Sequence, residues 1–273
     1  YYSYNLGKVH GVLLDDIDCA NPGTGKNATY TNNLVQEQLD WLKKDLSHVS
    51  KDTPIIVSMH AQMFANPGTG QTPNYAMTAS SASQLEDILD DFTTVHIFTG
   101  HTHKMYNVDR TLTKNGIYEH NAGAVCATWW VNGVYNIEAN IAADGVPGGY
   151  TVLKVNGNDI KWQYKGTKFN INRQFYSYDR NQINLSREKL LPSLNEADSK
   201  EWDARTKTWS GESTANEVYL NVWNYDYNWK VEVSENGNPL NVTKVADYDP
   251  LHMLGYAYER YRRGEDAGHL AST

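Results

Sequence analysis

Val95-His96-Ile97-Phe98-Thr99-Gly100-His101-Thr102-His103 decides the reading of this chain: an apolar run ends on a glycine, and two histidines follow with one residue between them. Upstream, Ile55-Ile56-Val57-Ser58-Met59-His60 repeats the pattern, a β-branched run that stops on a histidine. Short runs of β-branched and apolar residues signal buried strands, so each histidine falls where a core strand leaves its sheet. Open α/β sheets bind ligands outside the carboxyl ends of their strands. Gly100 is expected to supply the tight turn or close backbone approach that lets both rings leave one strand end. His60, His101 and His103 together read as half of a metal site. His96, inside the apolar run, reads as a core histidine with a partner of its own.

Outward from these strands, helical and extended patterns alternate. Val9–Leu14 is a further strand. Asn33–Leu46 carries apolar residues at 34, 35, 39, 41, 42 and 46, a helical spacing with Asn32 or Asn33 as N-cap. A long loop over Gln62–Ser80 contains Asn66-Pro67-Gly68-Thr69-Gly70 and precedes a helix expected at Ser81–Asp91. Glu119 begins a strand expected to reach the tandem Trp129-Trp130, a pair that reads as core packing sooner than as a pocket wall. Gly149–Val155 and Ile160–Tyr164, joined by Asn156-Gly157-Asn158, form a hairpin. Such alternation predicts an α/β fold, a two-sheet sandwich flanked by helices. Past residue 170 helical patterning fades apart from Ser186–Leu191, while Glu217–Trp223 and Trp229–Ser234 alternate as strands around a turn at Glu235-Asn236-Gly237-Asn238-Pro239. The expected partition is therefore an α/β catalytic part over 1–170 and a small antiparallel β-domain over 171–273.

These motifs resemble those of the calcineurin-like metallophosphoesterases. Tyr2–Asp15 resembles the strand that comes after the family's Gly-Asn-His motif, and Gln38-Leu39-Asp40-Trp41-Leu42 the next helix. The strand ending in His60 resembles the one bearing the penultimate ligand, and Gly100-His101-Thr102-His103 the final Gly-His-x-His. The resemblance implies a layered β-sandwich flanked by helices, with His60 and His101 sharing one metal and His103 holding its neighbour. It implies two divalent transition-metal ions (Zn, Mn, Fe or Ni) and a phosphate mono- or diester substrate attacked by metal-activated hydroxide. Asn221-Val222-Trp223-Asn224, Trp229-Lys230-Val231-Glu232-Val233 and Tyr248-Asp249-Pro250-Leu251 resemble the C-terminal domain of a bacterial, exported branch of the family. The family's Asp-x-His, Gly-Asp-x-x-Asp and Gly-Asn-His motifs do not occur here. The chain is accordingly read as the C-terminal part of a longer enzyme, with the bridging carboxylate and the general-acid imidazole outside it and the last strands of the β-domain missing.

The chemistry explains the residue types. Two ions roughly 3.5–4 Å apart clamp the attacking and leaving oxygens of a phosphoryl transfer and acidify water. Imidazole favours transition metals over Mg or Ca, which prefer oxygen ligands. Asp15 and Asp16 at a strand end, Lys104 after the motif and His120 beside Glu119 are further candidates for second-layer or substrate contacts, against the simpler reading of each as a solvated or packed side chain. The net charge of −8 in 273 residues, without a basic run, argues against a nucleic-acid stripe, and no apolar stretch is long enough to span a membrane. Cys19 and Cys126 give no disulfide framework, and the sequons at Asn27, Asn184 and Asn241 read as chance in an Asn-rich chain. A non-catalytic binding protein is the second functional class. Aromatic content is 12%, and Trp202, Trp209, Trp223 or Trp229, if exposed, would stack on sugar rings. A pseudoenzyme of the same fold is a third reading.

Overall fold

β1 (Tyr2–Leu6), β2 (Val9–Leu13), β5 (Ile55–Ser58), β6 (Val95–Thr99), β7 (Tyr106–Asp109) and β8 (Ile117–Asn121) form one mixed sheet in the order β1-β2-β5-β6-β8-β7. This computed structural model describes residues 1–21, 29–68, 74–110, 116–128, 130 and 139–264. The four central strands run parallel, and β1 and β7 close the edges antiparallel. The register aligns Ser58 with Phe98 and Phe98 with His120, so the ends of β5 and β6 that lead to His60 and His101 lie side by side.

The chain packs as two compact units, Tyr1–Ala122 with Val152–Gln163, and Gly123–Thr151 with Tyr164–Thr273. Compactness thus gives 123–151 to the second unit, a different partition from a single boundary at 170.

In the first unit, α1 (Gln36–Leu46) and α2 (Ala79–Leu89) are the parallel crossovers and bury one face of the sheet. Leu39, Leu42 and Leu46 from α1 and Ala82, Leu85 and Leu89 from α2 meet Val12, Ile55, Val57, Val95, Ile97 and Ile117. Each fully buried large side chain contributes roughly 1.5–3 kcal/mol relative to exposure. The expected asparagine cap of α1 is not made. Val35 holds the cap position without a side-chain bond, because Asn32 Nδ2 donates to Gln62 O at 2.7 Å and Asn33 Oδ1 accepts from Ser81 Oγ at 2.5 Å. Tertiary contacts have taken both caps.

β1 runs against ordinary patterning. Ser3 and Asn5 point toward α1, bonding Asp45 and the buried His10, which in turn bonds Asp45. Tyr2, Tyr4 and Leu6 are left exposed on the other face. Gly11 is the residue beneath Tyr4, and a Cβ there would collide with the ring.

On that same face of the first unit, His96 Nδ1 and His120 Nε2 are 2.8 Å apart, and Asn107 Oδ1 bonds His120 Nδ1 at 3.1 Å. Phe98 stacks on His120 at 4.5 Å, and Trp162 meets it edge-on at 4.5 Å. Burial holds His120 well below the ordinary histidine range and lowers His96 to about 4. Between about pH 6.5 and 4 the unfolded chain therefore binds protons that the folded chain excludes, and stability falls as pH falls through that window. For His96 alone the loss is roughly 3 kcal/mol. Glu119, which burial raises to about 7, acts in the opposite sense between about 4.5 and 7, losing stability as pH rises. His120 adds to the histidine side, while Asp249, which burial raises to about 6, and Asp16, also raised by burial, act with Glu119. The histidine share is therefore read by difference: the gap in urea midpoint between the natural protein and His96→Gln should narrow from pH 7 to 4.5, and a constant gap would contradict a neutral histidine pair.

Where a small antiparallel β-domain was expected, the second unit carries helices as well as antiparallel strand pairs. Its sheets, among the described residues, are two-stranded: β11 (Phe175–Asp179) with β12 (Val218–Val222), and β13 (Val233–Glu235) with β14 (Asn238–Leu240). The β13–β14 turn has positive φ at Asn236 and Gly237, as a two-residue hairpin requires. Between them run α3 (Arg187–Leu190) and α4 (Glu196–Arg205), and α5 (Pro250–His252) leads through a π-helical turn, Met253–Ala257, into α6 (Tyr258–Arg263). Only Trp202 of α4 is buried, so no apolar stripe announced that helix, but Asn195 caps it through the Asp198 N–H. Asp249 similarly caps α5 ahead of Pro250. Trp202, Trp209 and Trp223 are buried at 0%, 2% and 0% exposure, with Trp202 and Trp209 donating to Leu185 O and Tyr248 O. These rings fill core, which removes three of the four that a sugar platform would use. Trp229 alone of the four is exposed.

β3 (Ile17–Asn21) pairs with β4 (Thr29–Asn32) as a separate hairpin of the first unit, and β9 (Gly149–Asn156) with β10 (Asp159–Gly166). The strand expected from Glu119 to Trp130 stops at Asn121, where the chain turns through 123–128 with Ala127 at φ 53°. The second large sheet of the expected sandwich is not found among the described residues, which hold only two-stranded sheets besides the central one. Trp129, the sequon at Asn27 and residues 69–71 of the glycine-bearing loop lie outside the described residues. Cys19 and Cys126 are not joined in a disulfide. Among the described residues no helix is long and apolar enough to cross a membrane.

Candidate functional site

The ladder between β5 and β6 continues one step beyond β5 through Met59 N–H to Phe98 O at 3.0 Å, and Gly100 N–H then donates to His60 O at 2.9 Å. Those bonds bring the two histidine-bearing strand ends together. His60 Nε2 lies 3.0 Å from His101 Nδ1, the rings nearly perpendicular with centroids 5.0 Å apart. On the far side of the His101 ring, Nε2 is 3.0 Å from Tyr30 Oη. Donor atoms around a tetrahedral ion with bonds near 2.0–2.1 Å are separated by about 3.3 Å. The histidine pair already has close to the spacing of two ligands to one ion.

Gly100 is not the strained residue of the motif. Its φ is not left-handed, and an added Cβ would meet His60 O at an ordinary 3.8 Å. The left-handed residues are His101 at φ 68° and His103 at φ 56°. Left-handed backbone at a non-glycine costs of order 1–3 kcal/mol and persists where its surroundings enforce it. Here Thr102 N–H bonds Gly100 O at 2.7 Å, and Asn121 Nδ2 holds Thr102 Oγ1 at 2.7 Å. Desolvation against its neighbours, then the His60 ring, lowers the His101 pKa, which keeps its imidazole in the unprotonated form that ligates.

Two buried carboxylates fix the main chain after His60. Asp16 accepts from the N–H of His60 at 2.9 Å and of Ala61 at 2.8 Å. Glu119 accepts from Met63 N–H at 2.7 Å, Phe64 N–H at 2.9 Å and Thr99 Oγ1 at 2.9 Å. Burial raises the pKa of both carboxyls, and the backbone N–H groups oppose that rise. Four amides between residues 60 and 64 are thus held by side chains from β8 and from the turn after β2, and Glu119 reaches Thr99 just before the Gly-His-Thr-His turn.

The remaining sequence candidates fall in different places. Asp15 is exposed, its Oδ1 accepting from Ile17 N–H at 3.3 Å; its neighbour Asp16 is the carboxylate that turns inward. His103 comes just after the pair, but among the described residues no three or more His, Cys, Asp or Glu side chains converge into an ion-holding group. Lys104 is half-buried and its main chain closes a small turn with Thr102. His120 has both ring nitrogens taken by His96 and Asn107, on the sheet face opposite to Glu119.

Comparison with known families gives a match over residues 119–269 to the C terminal of calcineurin-like phosphoesterase, more than half of the chain. The chain belongs to the calcineurin-like phosphoesterase family. His60, His101 and His103 precede the matched residues. In this member of the family the histidine pair therefore rests on geometry, and family membership rests on the segment from Glu119 onward. Purple acid phosphatase 15 of Arabidopsis thaliana is 30% identical over 105 residues, which are 38% of this chain and 17% of the plant protein. The chain spans less than a fifth of that relative.

Of the two strand-end carboxylates expected near the site, Asp16 is the one that holds the main chain after His60. Glu119 and Tyr30 are the residues that the sequence concealed. Tyr30 carries no signal, being 71 residues from His101 in a polar segment.

Proposed function

We propose that His60 and His101 ligate one transition-metal ion, that His103 ligates a second, and that the chain serves a phosphoesterase acting on phosphate mono- or diesters. The 3.0 Å approach of His60 Nε2 to His101 Nδ1 carries the proposal. Nitrogens this close on two imidazole rings need either a shared proton or a shared cation, and imidazoles on adjacent strand ends suit Zn, Fe or Ni. Bound ions would supply positive charge to the phosphoryl oxygens and acidify water, which suits a chain of net charge −8. Its own residues hold the geometry: Asp16 fixes the His60 main chain, Gly100 ties it to the next strand end, and the lowered pKa of His101 leaves a lone pair at neutral pH. The pair supplies two donors. The other ligands of a two-ion site are not grouped around it among the described residues.

Elemental analysis and calorimetric titration with Zn, Mn and Co test the proposal on the purified chain after exhaustive buffer exchange. Stoichiometric uptake of a first ion is expected, with affinity falling as acid competes with the ion for the imidazole nitrogens. Equal uptake by a His60→Ala/His101→Ala double variant would sink it. Relative turnover of p-nitrophenyl phosphate and its bis ester by the metal-loaded protein would then separate mono- from diesterase action.

A further inference from the structure

We propose that Tyr30 is a positioning residue for His101: its hydroxyl oxygen accepts a hydrogen bond from His101 Nε2–H, which leaves Nδ1 as the bare nitrogen facing His60. Tyr30 Oη lies 3.0 Å from His101 Nε2, and the two rings meet edge to face at 5.9 Å. Tyr30 is 51% exposed, so core packing does not account for where its ring sits. The base of its hairpin is nonetheless fixed. Asn33 N–H bonds Asp16 O at 2.9 Å, Thr78 N–H bonds Asn32 O at 2.9 Å, and Asn32 Nδ2 bonds Gln62 O at 2.7 Å. The hairpin that opens just after Asp16 thereby delivers a tyrosine to the second histidine, while Asp16 holds the main chain of the first.

A neutral imidazole carries one N–H and one lone pair. If Nδ1 is to bind an ion, the proton must sit on Nε2, and that N–H needs an acceptor. Histidine ligands nearly always donate their other nitrogen to such a partner, whose removal weakens metal affinity about 10- to 100-fold. A tyrosine hydroxyl fills that role without adding charge. The metal arm of this inference rests on the ligand reading above, whereas the tautomer does not.

Tyr30→Phe keeps the ring and removes the acceptor. Long-range proton–nitrogen NMR of the metal-free chain at pH 8 should show His101 as the Nε2–H tautomer in the natural protein and a mixture in the variant. The variant's dissociation constant for Zn or Co should be about 10- to 100-fold weaker, with an unchanged melting temperature. A His101 that carries its proton on Nδ1 in the natural protein, or an identical tautomer and identical affinity in Tyr30→Phe, would overturn the inference. Failure of the natural chain to take up metal would instead sink the ligand reading, and the tautomer measurement would still decide the role of Tyr30.

Discussion

His101→Ala in an enzyme carrying this chain is expected to lower phosphate-ester turnover by at least about 100-fold and to remove the first tightly held ion. One side chain would be lost from three relationships: the 3.0 Å approach to His60, the 3.0 Å bond to Tyr30 and the proposed ligation itself. The backbone offers a control. At φ 68° alanine keeps the left-handed strain that histidine has, whereas glycine relieves it. His101→Gly should therefore fold at least as well as His101→Ala and lose just as much metal and turnover. Equal losses assign the effect to the imidazole. Near-normal turnover in either variant would remove His101 from the site. His103→Ala should reduce turnover too while leaving the His60–His101 ion in place, because His103 is assigned to the second ion.

The site is legible in the sequence to the extent that its signals are local. β5 and β6 are apolar runs that stop on His60 and just before Gly100, and the structure sets their ends side by side. The histidine pair is a consequence of that. Local patterning also gives α1, α2 and the β9–β10 hairpin to within a few residues. What was hidden depends on contacts between distant residues. Asn32 and Asn33 read as helix caps because the sequence does not show that Gln62 and Ser81 claim their side chains. Glu119 reads as the first residue of a late strand, yet it accepts from amides 55 and 56 residues away. In the second unit the reverse error occurred. α4 lacks an apolar stripe, so its periodicity is silent, whereas the 250–263 run buries Met253, Tyr256, Ala257 and Tyr261 at helical spacing; that signal and the caps at Asn195 and Asp249 were present in the sequence and outranked by the alternating strands nearby. The reading of Gly100 failed for a conformational reason, since the turn places its left-handed residues on the histidines themselves.

Glu119→Ala is expected to destabilise the first unit by about 4 kcal/mol, a loss read from urea midpoints at constant slope. The carboxylate is 0% exposed and is the acceptor for Met63 N–H, Phe64 N–H and Thr99 Oγ1. Each donor left without a partner in an apolar interior costs about 1–3 kcal/mol, and the vacated volume adds a cavity term. Glu119→Gln retains one carbonyl oxygen but turns an N–H₂ toward donors, so its loss should be smaller than alanine's and still measurable. A midpoint for Glu119→Ala within about 0.5 kcal/mol of the natural protein, the range of ordinary surface changes, would mean that the amides find other acceptors. The more telling comparison involves Asp16, which holds the two amides just before those of Glu119. If the two carboxylates fix one five-residue segment, releasing one end already frees much of what the other restrains. Asp16→Asn and Glu119→Gln combined should then cost less than their separate losses added, by an interaction energy of about 0.5–3 kcal/mol. Metal affinity should show the same non-additive pattern, because His60 is the first residue of that segment. Strict additivity in both measurements would show that the carboxylates anchor independent stretches of chain and that His60 is positioned by Asp16 alone.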